Sequence, residues 1–381
     1  MRRLLAFVCV VVFVDTLFYA AITPILPELS DEYGLSKSAA GVLAAAYPAG
    51  TFLGALPGGW LAARVGTRPT VLLGLGLLLV SSIAFAFADS IVVLDVARFV
   101  QGIGGAASWA GALGWMIGAA PREQRGQYIG TALAAAVAGA LFGPVLGALA
   151  DVLGQEPVFG AVAVLGLGLM AWATRMHAEQ PEGDSRLRTL LSAFSDRRVA
   201  AGMWLTTLPG VLFGTVAVLG ALRLDDLGAT TAAIAAAFLV AAALEAIVAP
   251  LIGRLSDRRG RLVPSVIGVA GGGLVMLLLP WPESALGLGA LIVLAGPLIG
   301  MLYTPAMAML SDGADAAGVA QGFAFALVNL AWATGQTAGA AGSARLADAT
   351  GDSVPYFVLA GVCALTLVAL VRRARTGRPA G

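Results

Sequence analysis

Four charged side chains stand inside stretches of sequence that are otherwise apolar: Asp15, Asp95, Arg98 and Glu245. A carboxylate in low dielectric can hold a proton and release it when a cation or water arrives, so Asp15 is the first candidate for proton or substrate binding and Glu245 the second. Either could instead be a structural acid bonded to a neighbouring helix. A buried arginine demands an acid or water as partner. At 1.5 Å per residue, Arg98 lies roughly 10 Å below one membrane face and about 20 Å from the other, while Asp15 lies roughly 16 Å from that second face. These levels allow Arg98 to pair with Asp15 across a cavity. Asp95, one turn earlier on the same helix, is the competing partner.

The elements that carry these residues follow from composition. Of the 381 residues, 59% are hydrophobic and 12% charged, against roughly 25% charged in an average soluble domain; mean hydropathy is +0.89. Such a chain belongs in a bilayer. Runs of about 20 apolar residues, the length that crosses about 30 Å of hydrocarbon, recur with short polar breaks. They fall near 4–27, 39–62, 70–88, 91–119, 127–150, 157–176, 200–222, 231–253, 262–280, 285–310, 318–346 and 355–371. The expected fold is therefore an all-α membrane protein with twelve transmembrane helices in two six-helix bundles. Barrel strands are excluded, because the runs are too long and do not alternate polar with apolar.

Polarity and punctuation organise the spans. Arg2, Arg3, Arg64, Arg68, Arg122, Arg125, the arginines of 175–198, those of 254–261 and those of 372–378 fall in alternate loops or tails. The opposite loops hold only Lys37, Arg223 and Arg345, which places both termini in the cytoplasm. The polar break at 177–199, which contains Pro181, Gly183 and the sole histidine, His177, reads as a cytoplasmic linker. The expected domains are 1–176, the linker 177–199, a second bundle over 200–371 and a cytoplasmic tail over 372–381. The start resembles a secretory signal only as far as Val14. Asp15 interrupts it and no small-residue cleavage site closes it, so the first span is retained. Cys9 and Cys363 lie in apolar runs and read as packing residues. Trp60, Trp172 and Trp281, near span ends, read as interface anchors. With the arginines confined to short loops, no basic face remains for nucleic acid.

A sequence repeat ties the halves together. Gly253-Arg254-Leu255-Ser256-Asp257-Arg258-Arg259-Gly260-Arg261 shares a frame with Gly59-Trp60-Leu61-Ala62-Ala63-Arg64-Val65-Gly66-Thr67-Arg68, and Gly253 lies 194 residues after Gly59. The glycines permit tight turns, the arginines suit the cytoplasmic side, and Asp257 can pair with them or with a helix N-terminus. The stretch could equally be a charged turn that only orients the chain. In the fifth span, Gly139, Gly143 and Gly147 are spaced four apart and make a smooth face, with Pro144 kinking the helix. The alanine-rich eighth span, from Ala232 to Ala246, offers a surface that could meet it. Gly335, Gly339 and Gly342 make a similar face in the eleventh.

These features resemble the Major Facilitator Superfamily of secondary transporters over nearly the whole chain, and in particular its twelve-helix drug:proton antiporters. The resemblance implies two halves around a central cavity that opens alternately to each side. It implies a gating role for the loop motif (Gly59, Arg64, Gly66, Arg68; Gly253, Asp257, Arg258, Gly260), with Ala63 standing where the family has aspartate. Arg98-Phe99-Val100-Gln101-Gly102 resembles the fourth-helix motif whose arginine is associated with proton coupling, and Gly139, Gly143, Pro144 and Gly147 match the antiporter motif. The first span, with Asp15 before a proline-rich end, is similar to that of drug:proton antiporters and vesicular amine transporters. A cavity in such a fold draws on Tyr19, Trp109, Trp115, Tyr303, Asn329, Trp332 and Gln336, whose aromatic faces suit an apolar or cationic ligand.

No enzyme signature is present: no histidine and cysteine cluster, no phosphate loop with its lysine, no nucleophile elbow. A proton gradient rather than a nucleotide or other cofactor is the expected energy source. The reading is a monomeric, proton-coupled exporter of small hydrophobic or cationic drug-like compounds, giving multidrug resistance. Transport of a sugar, amino acid or other metabolite is the alternative, and a receptor without flux a more remote one. The excess of alanine, glycine and arginine over lysine points to a GC-rich bacterium and so to its inner (cytoplasmic) membrane.

Overall fold

The computed structural model describes residues 1–121, 125–176, 197–316 and 321–375; His177 and most of the expected linker lie outside them. The described residues are helical throughout, with short turns. The first half comprises α1 (Arg2–Ala20), α2 (Ile22–Glu32), α3 (Lys37–Arg64), α4 (Thr67–Ala86), α5 (Ile91–Ala119), α6 (Arg125–Leu153) and α7 (Gln155–Thr174). The second comprises α8 (Arg197–Thr215), α9 (Ala221–Asp226), α10 (Thr231–Arg259), α11 (Leu262–Leu278), α12 (Ala285–Gly300), α13 (Tyr303–Ala316), α14 (Gln321–Thr337), α15 (Ser343–Thr350) and α16 (Ser353–Arg375). Single π-helical turns, Val216–Gly220 and Ala338–Gly342, join α8 to α9 and α14 to α15.

Among the described residues, ten helical stretches are long and apolar enough to cross a membrane, and Leu262–Leu278 is shorter. Of the stretch expected as one span near 318–346, the part from Gln321 is described, as α14, its π turn and α15 in one continuous helical run. The first span is interrupted: α1 stops at Ala20 and α2 starts at Ile22, because Pro24 has no N–H to continue the ladder to the Ala20 carbonyl.

The chain forms two compact units. One is Met1–Ile25 with Ala46–Leu187; the other is Leu26–Ala45 with Arg188–Gly381. Most of α2 and the first turns of α3 therefore count with the second unit. The first unit is filled by aromatic rings: Phe18, Phe85 and Phe159 meet with centroids 4.7 to 6.0 Å apart, and Phe7 packs on Trp115 and Trp172. Trp172 thus joins the packing, whereas Trp60 and Trp281 are exposed as anchors would be. In the second unit Val199, Leu310, Leu327 and Val328 form a buried cluster covered by Met203 and Met307. Cys9 and Cys363 are both free thiols.

Each unit contains glycine seams of the same kind. A Cβ on Gly139 would strike the Phe13 carbonyl and one on Gly143 the Leu17 carbonyl; in the second unit Gly335 meets the Thr207 carbonyl and Gly339 that of Val211. Gly102 similarly faces the Tyr47 carbonyl, and 194 residues on, Gly296 faces that of Ala241. Bare backbones let these helices approach closely, which in lipid replaces the missing hydrophobic drive. The turns repeat too. Gly66 and Gly260 both adopt positive φ, 112° and 77°, at the bend that follows α3 or α10, where a side chain would be strained.

Candidate functional site

The first unit gathers polar groups around Asp15, which is 3% exposed. The Tyr47 hydroxyl and the Trp109 indole N–H donate to Asp15 Oδ2 at 2.7 and 2.9 Å. Asp15 Oδ1 has no hydrogen-bond partner. Gly105 makes the space: a Cβ there would lie 2.6 Å from the Tyr47 hydroxyl and 2.7 Å from Asp15 Oδ1. The rings of Tyr19 and Tyr47 pack 4.8 Å apart. The result is a buried carboxylate held by two donors at the edges of aromatic rings, with one oxygen left to accept from a cation.

Arg98 lies beside this cluster and is 1% exposed. It bonds neither of the acids considered for it in the sequence. Its Nη1 donates to the Phe18 carbonyl at 3.2 Å and to Gln101 Oε1 at 2.9 Å, and its Nη2 to the Tyr19 carbonyl at 3.1 Å. The guanidinium also sits 5.3 Å from the Tyr47 ring centre and 5.9 Å from that of Tyr19. The cause is the break in the first span: α1 ends at Ala20, its last carbonyls lack helical donors, and a cation at that negative helix end satisfies them. Asp95 keeps one oxygen buried without a partner.

Three residues of this cluster were given no role from the sequence. Tyr47 belongs to α3, and only the fold brings it to Asp15. Gln101 could have been found, since it stands one turn after Arg98 on the same face. Gly105 reads as one more small residue in a glycine-rich helix. Trp115, expected from the sequence among the cavity residues, is 5% exposed and packs edge-on against Phe7.

In the second unit Tyr303, the first residue of α13, stacks on Phe213 with centroids 6.2 Å apart. Gln336 is buried on α14 against Gly214 of α8, while Asn329 and Trp332 on the same helix are half-buried. Glu245 lies on α10, half-buried, against α12 at Gly300. Lys37, Arg223, Asp226, Asp352 and Tyr356 line a separate cavity of ≈ 190 Å³, across which Lys37 Nζ pairs with Asp352 at 2.6 Å.

The motif glycines Gly139, Gly143 and Gly147 turn toward α1, the last of them against Ala21 and Pro24. Their partner is the helix that carries Asp15, where sequence pointed to the alanine-rich eighth span. In the first loop motif Arg68 donates to the Thr174 carbonyl at 2.6 Å, and Arg64 covers the Trp60 ring at 5.1 Å. Gly59 and Gly253 face open space, and Arg258 is exposed. The side chain of Asp257 lies outside the described residues.

Long apolar helices with a polar cluster buried between them define a multi-pass membrane protein. The Major Facilitator Superfamily profile matches residues 8–335, and the chain belongs to that superfamily: it is a membrane transporter rather than an enzyme. It is 27% identical to the human synaptic vesicular amine transporter over 77% of this chain and 58% of that protein. It is 34% identical to an MFS-type transporter, ppzB, of Metarhizium rileyi over 40% of this chain and 33% of that one. The quinolone resistance protein NorA of Staphylococcus aureus is 28% identical over 42% of this chain and 41% of its own length. The chain thus spans about a third to three-fifths of these relatives. Its fold matches a POT family transporter solved with 5-aminolevulinic acid, with TM-score 0.76 and 15% identity over 98% of this chain and 96% of that one.

Proposed function

We propose that this protein is a proton-coupled antiporter that exports small hydrophobic or cationic drug-like compounds by alternating access. Asp15 is its cation anchor, and Arg98 and Glu245 belong to the coupling machinery. The observation that carries the reading is the Asp15 carboxylate, with one oxygen held by Tyr47 and Trp109 and the other buried without a hydrogen-bond partner. A buried anion with one open oxygen favours an organic cation over a sugar. Relatives named for amine transport and quinolone resistance support the same class. The glycine motif at Gly139, Gly143, Pro144 and Gly147 supports antiport, and a proton gradient supplies the energy without a cofactor. The linker at 177–199 and both termini face the cytoplasm of a bacterial inner membrane, and the unit of function is the monomer.

The test is uptake in proteoliposomes under an imposed pH gradient, with hydrophobic cations, sugars and amino acids offered in turn. Gradient-dependent movement of a hydrophobic cation such as tetraphenylphosphonium, lost in Asp15→Asn, is expected. Movement of a sugar or amino acid in its place would transfer the reading to metabolite transport. Binding without flux would make the protein a receptor.

A further inference from the structure

The two units place different chemistry at one repeated position. Gly102 faces Tyr47 in the first unit as Gly296 faces Ala241 in the second, and both pairs are separated by the same 194 residues as the loop motifs. One turn further along α3 stands Thr51; its counterpart on α10 is Glu245. The Thr51 hydroxyl bonds the Tyr47 carbonyl at 3.1 Å and the Gly102 carbonyl at 3.3 Å. A small hydroxyl therefore suffices to pack this helix crossing. The carboxylate at Glu245 exceeds what packing requires.

Among the described residues it has no partner. Glu245 makes no hydrogen bond or ion pair with any described residue. The faces packed on α10 belong to α9, α11, α12 and α13. Neither α11 nor α12 contains an ionisable residue. α13 contributes Tyr303, and also Asp312 and Asp315, whose side chains lie outside the described residues. α9 carries Arg223, Asp225 and Asp226, and these residues precede the start of α10, fourteen positions before Glu245. On α10 itself the nearest charge, Arg254, is about 13 Å further along the axis. A carboxylate in such a setting is accommodated by taking up a proton.

The seat is shaped for it. A Cβ on Gly300 would lie 2.6 Å from Glu245 Cγ and would also strike its Cδ and Oε1. The equivalent residue of the first unit is Ala106, so the position tolerates a methyl group where no carboxylate faces it. Gly300 ends α12, α13 restarts at Tyr303, and Pro305 has no N–H to return to the Met301 carbonyl.

We propose that Glu245 carries the coupling proton and that Gly300 is its positioning residue, an inference that rests on the proton-coupled reading above. In the exchange only the carboxylic O–H bond breaks: its proton passes to water as the cation is bound, and is taken up again when the cation leaves. Purified protein in weakly buffered detergent solution is mixed with tetraphenylphosphonium, and binding and proton release are read together, by tryptophan fluorescence and a pH electrode. Wild type is expected to release a proton on binding; Glu245→Gln is expected to bind and release none. Gly300→Ala is expected to move the pH range of release by about one unit. Adding Glu245→Asp to Gly300→Ala, which removes a methylene where the methyl was introduced, is expected to restore it. Undiminished release from Glu245→Gln overturns the assignment while leaving antiport intact. Wild type that binds the cation and releases no proton defeats the proton-coupled reading itself. Should the variants fail to fold, dicyclohexylcarbodiimide on wild type gives the same decision: modification at Glu245 that the cation suppresses supports the proposal, and modification confined to other carboxyls overturns it.

Discussion

At the scale of single residues, the cost of burying a charge explains both what was legible and what was not. Asp15, Arg98 and Glu245 announce themselves because a charge in an apolar run is expensive. Their partners do not. Arg98 is satisfied mainly by the carbonyls of Phe18 and Tyr19, and a backbone carbonyl has no sequence signature. Only Pro24 hinted that the first span breaks there. Replacing Arg98 with alanine strands those carbonyls and Gln101 in a dry interior. We expect a loss of about 3 kcal/mol in unfolding stability, from two or more unsatisfied buried groups, measured by thermal or denaturant unfolding in detergent. Retained stability would mean that the carbonyls find other donors.

At the scale of elements, glycine patterns are easier to see than their partners. The four-residue spacing of Gly139, Gly143 and Gly147 correctly indicates a packing face, but sequence could not say which helix it meets. That helix is α1, and its backbone approaches so closely that Gly143 would run into both Leu17 and Ala20 if it carried a Cβ. Gly143→Val is therefore expected to cost about 2 to 3 kcal/mol through overpacking. It should also displace Asp15, which lies on the same helix. Unfolding measurements paired with cation binding would show both effects together; a stable variant with unchanged binding would deny the seam its role in holding the site.

At the scale of the whole molecule, the class of fold was readable because twenty-residue apolar runs and arginine asymmetry are bilayer constraints acting on sequence directly. The duplication was readable in the loop motif and is repeated in the glycine seams and positive-φ turns. The sharing of the first two spans between units was not, since it depends on contacts between distant residues. Residues 26–45 join the second unit, and there Asp348 accepts from the Ser38 amide at 2.7 Å. The Ser38 hydrogen bonds hold the Asp348 carboxyl below the usual aspartate range, with further help from Ser36 and Lys37. A depressed folded-state value gives stability that is present above the unfolded value of about 3.9 and lost as pH falls through the folded one. Asp348→Asn should thus melt lower than wild type at pH 7, and the gap should close in acid. A gap independent of pH would assign the effect to something other than this charge.

The Lys37 to Asp352 pair joins residues 315 positions apart. A ribosome adding about 5 to 20 residues per second makes the second partner some 15 to 60 s after the first. For that interval the opening turns of α3 have been synthesised without the acid that will clamp them. Turns made early are thereby fastened late, by an acid synthesised more than three hundred residues after them.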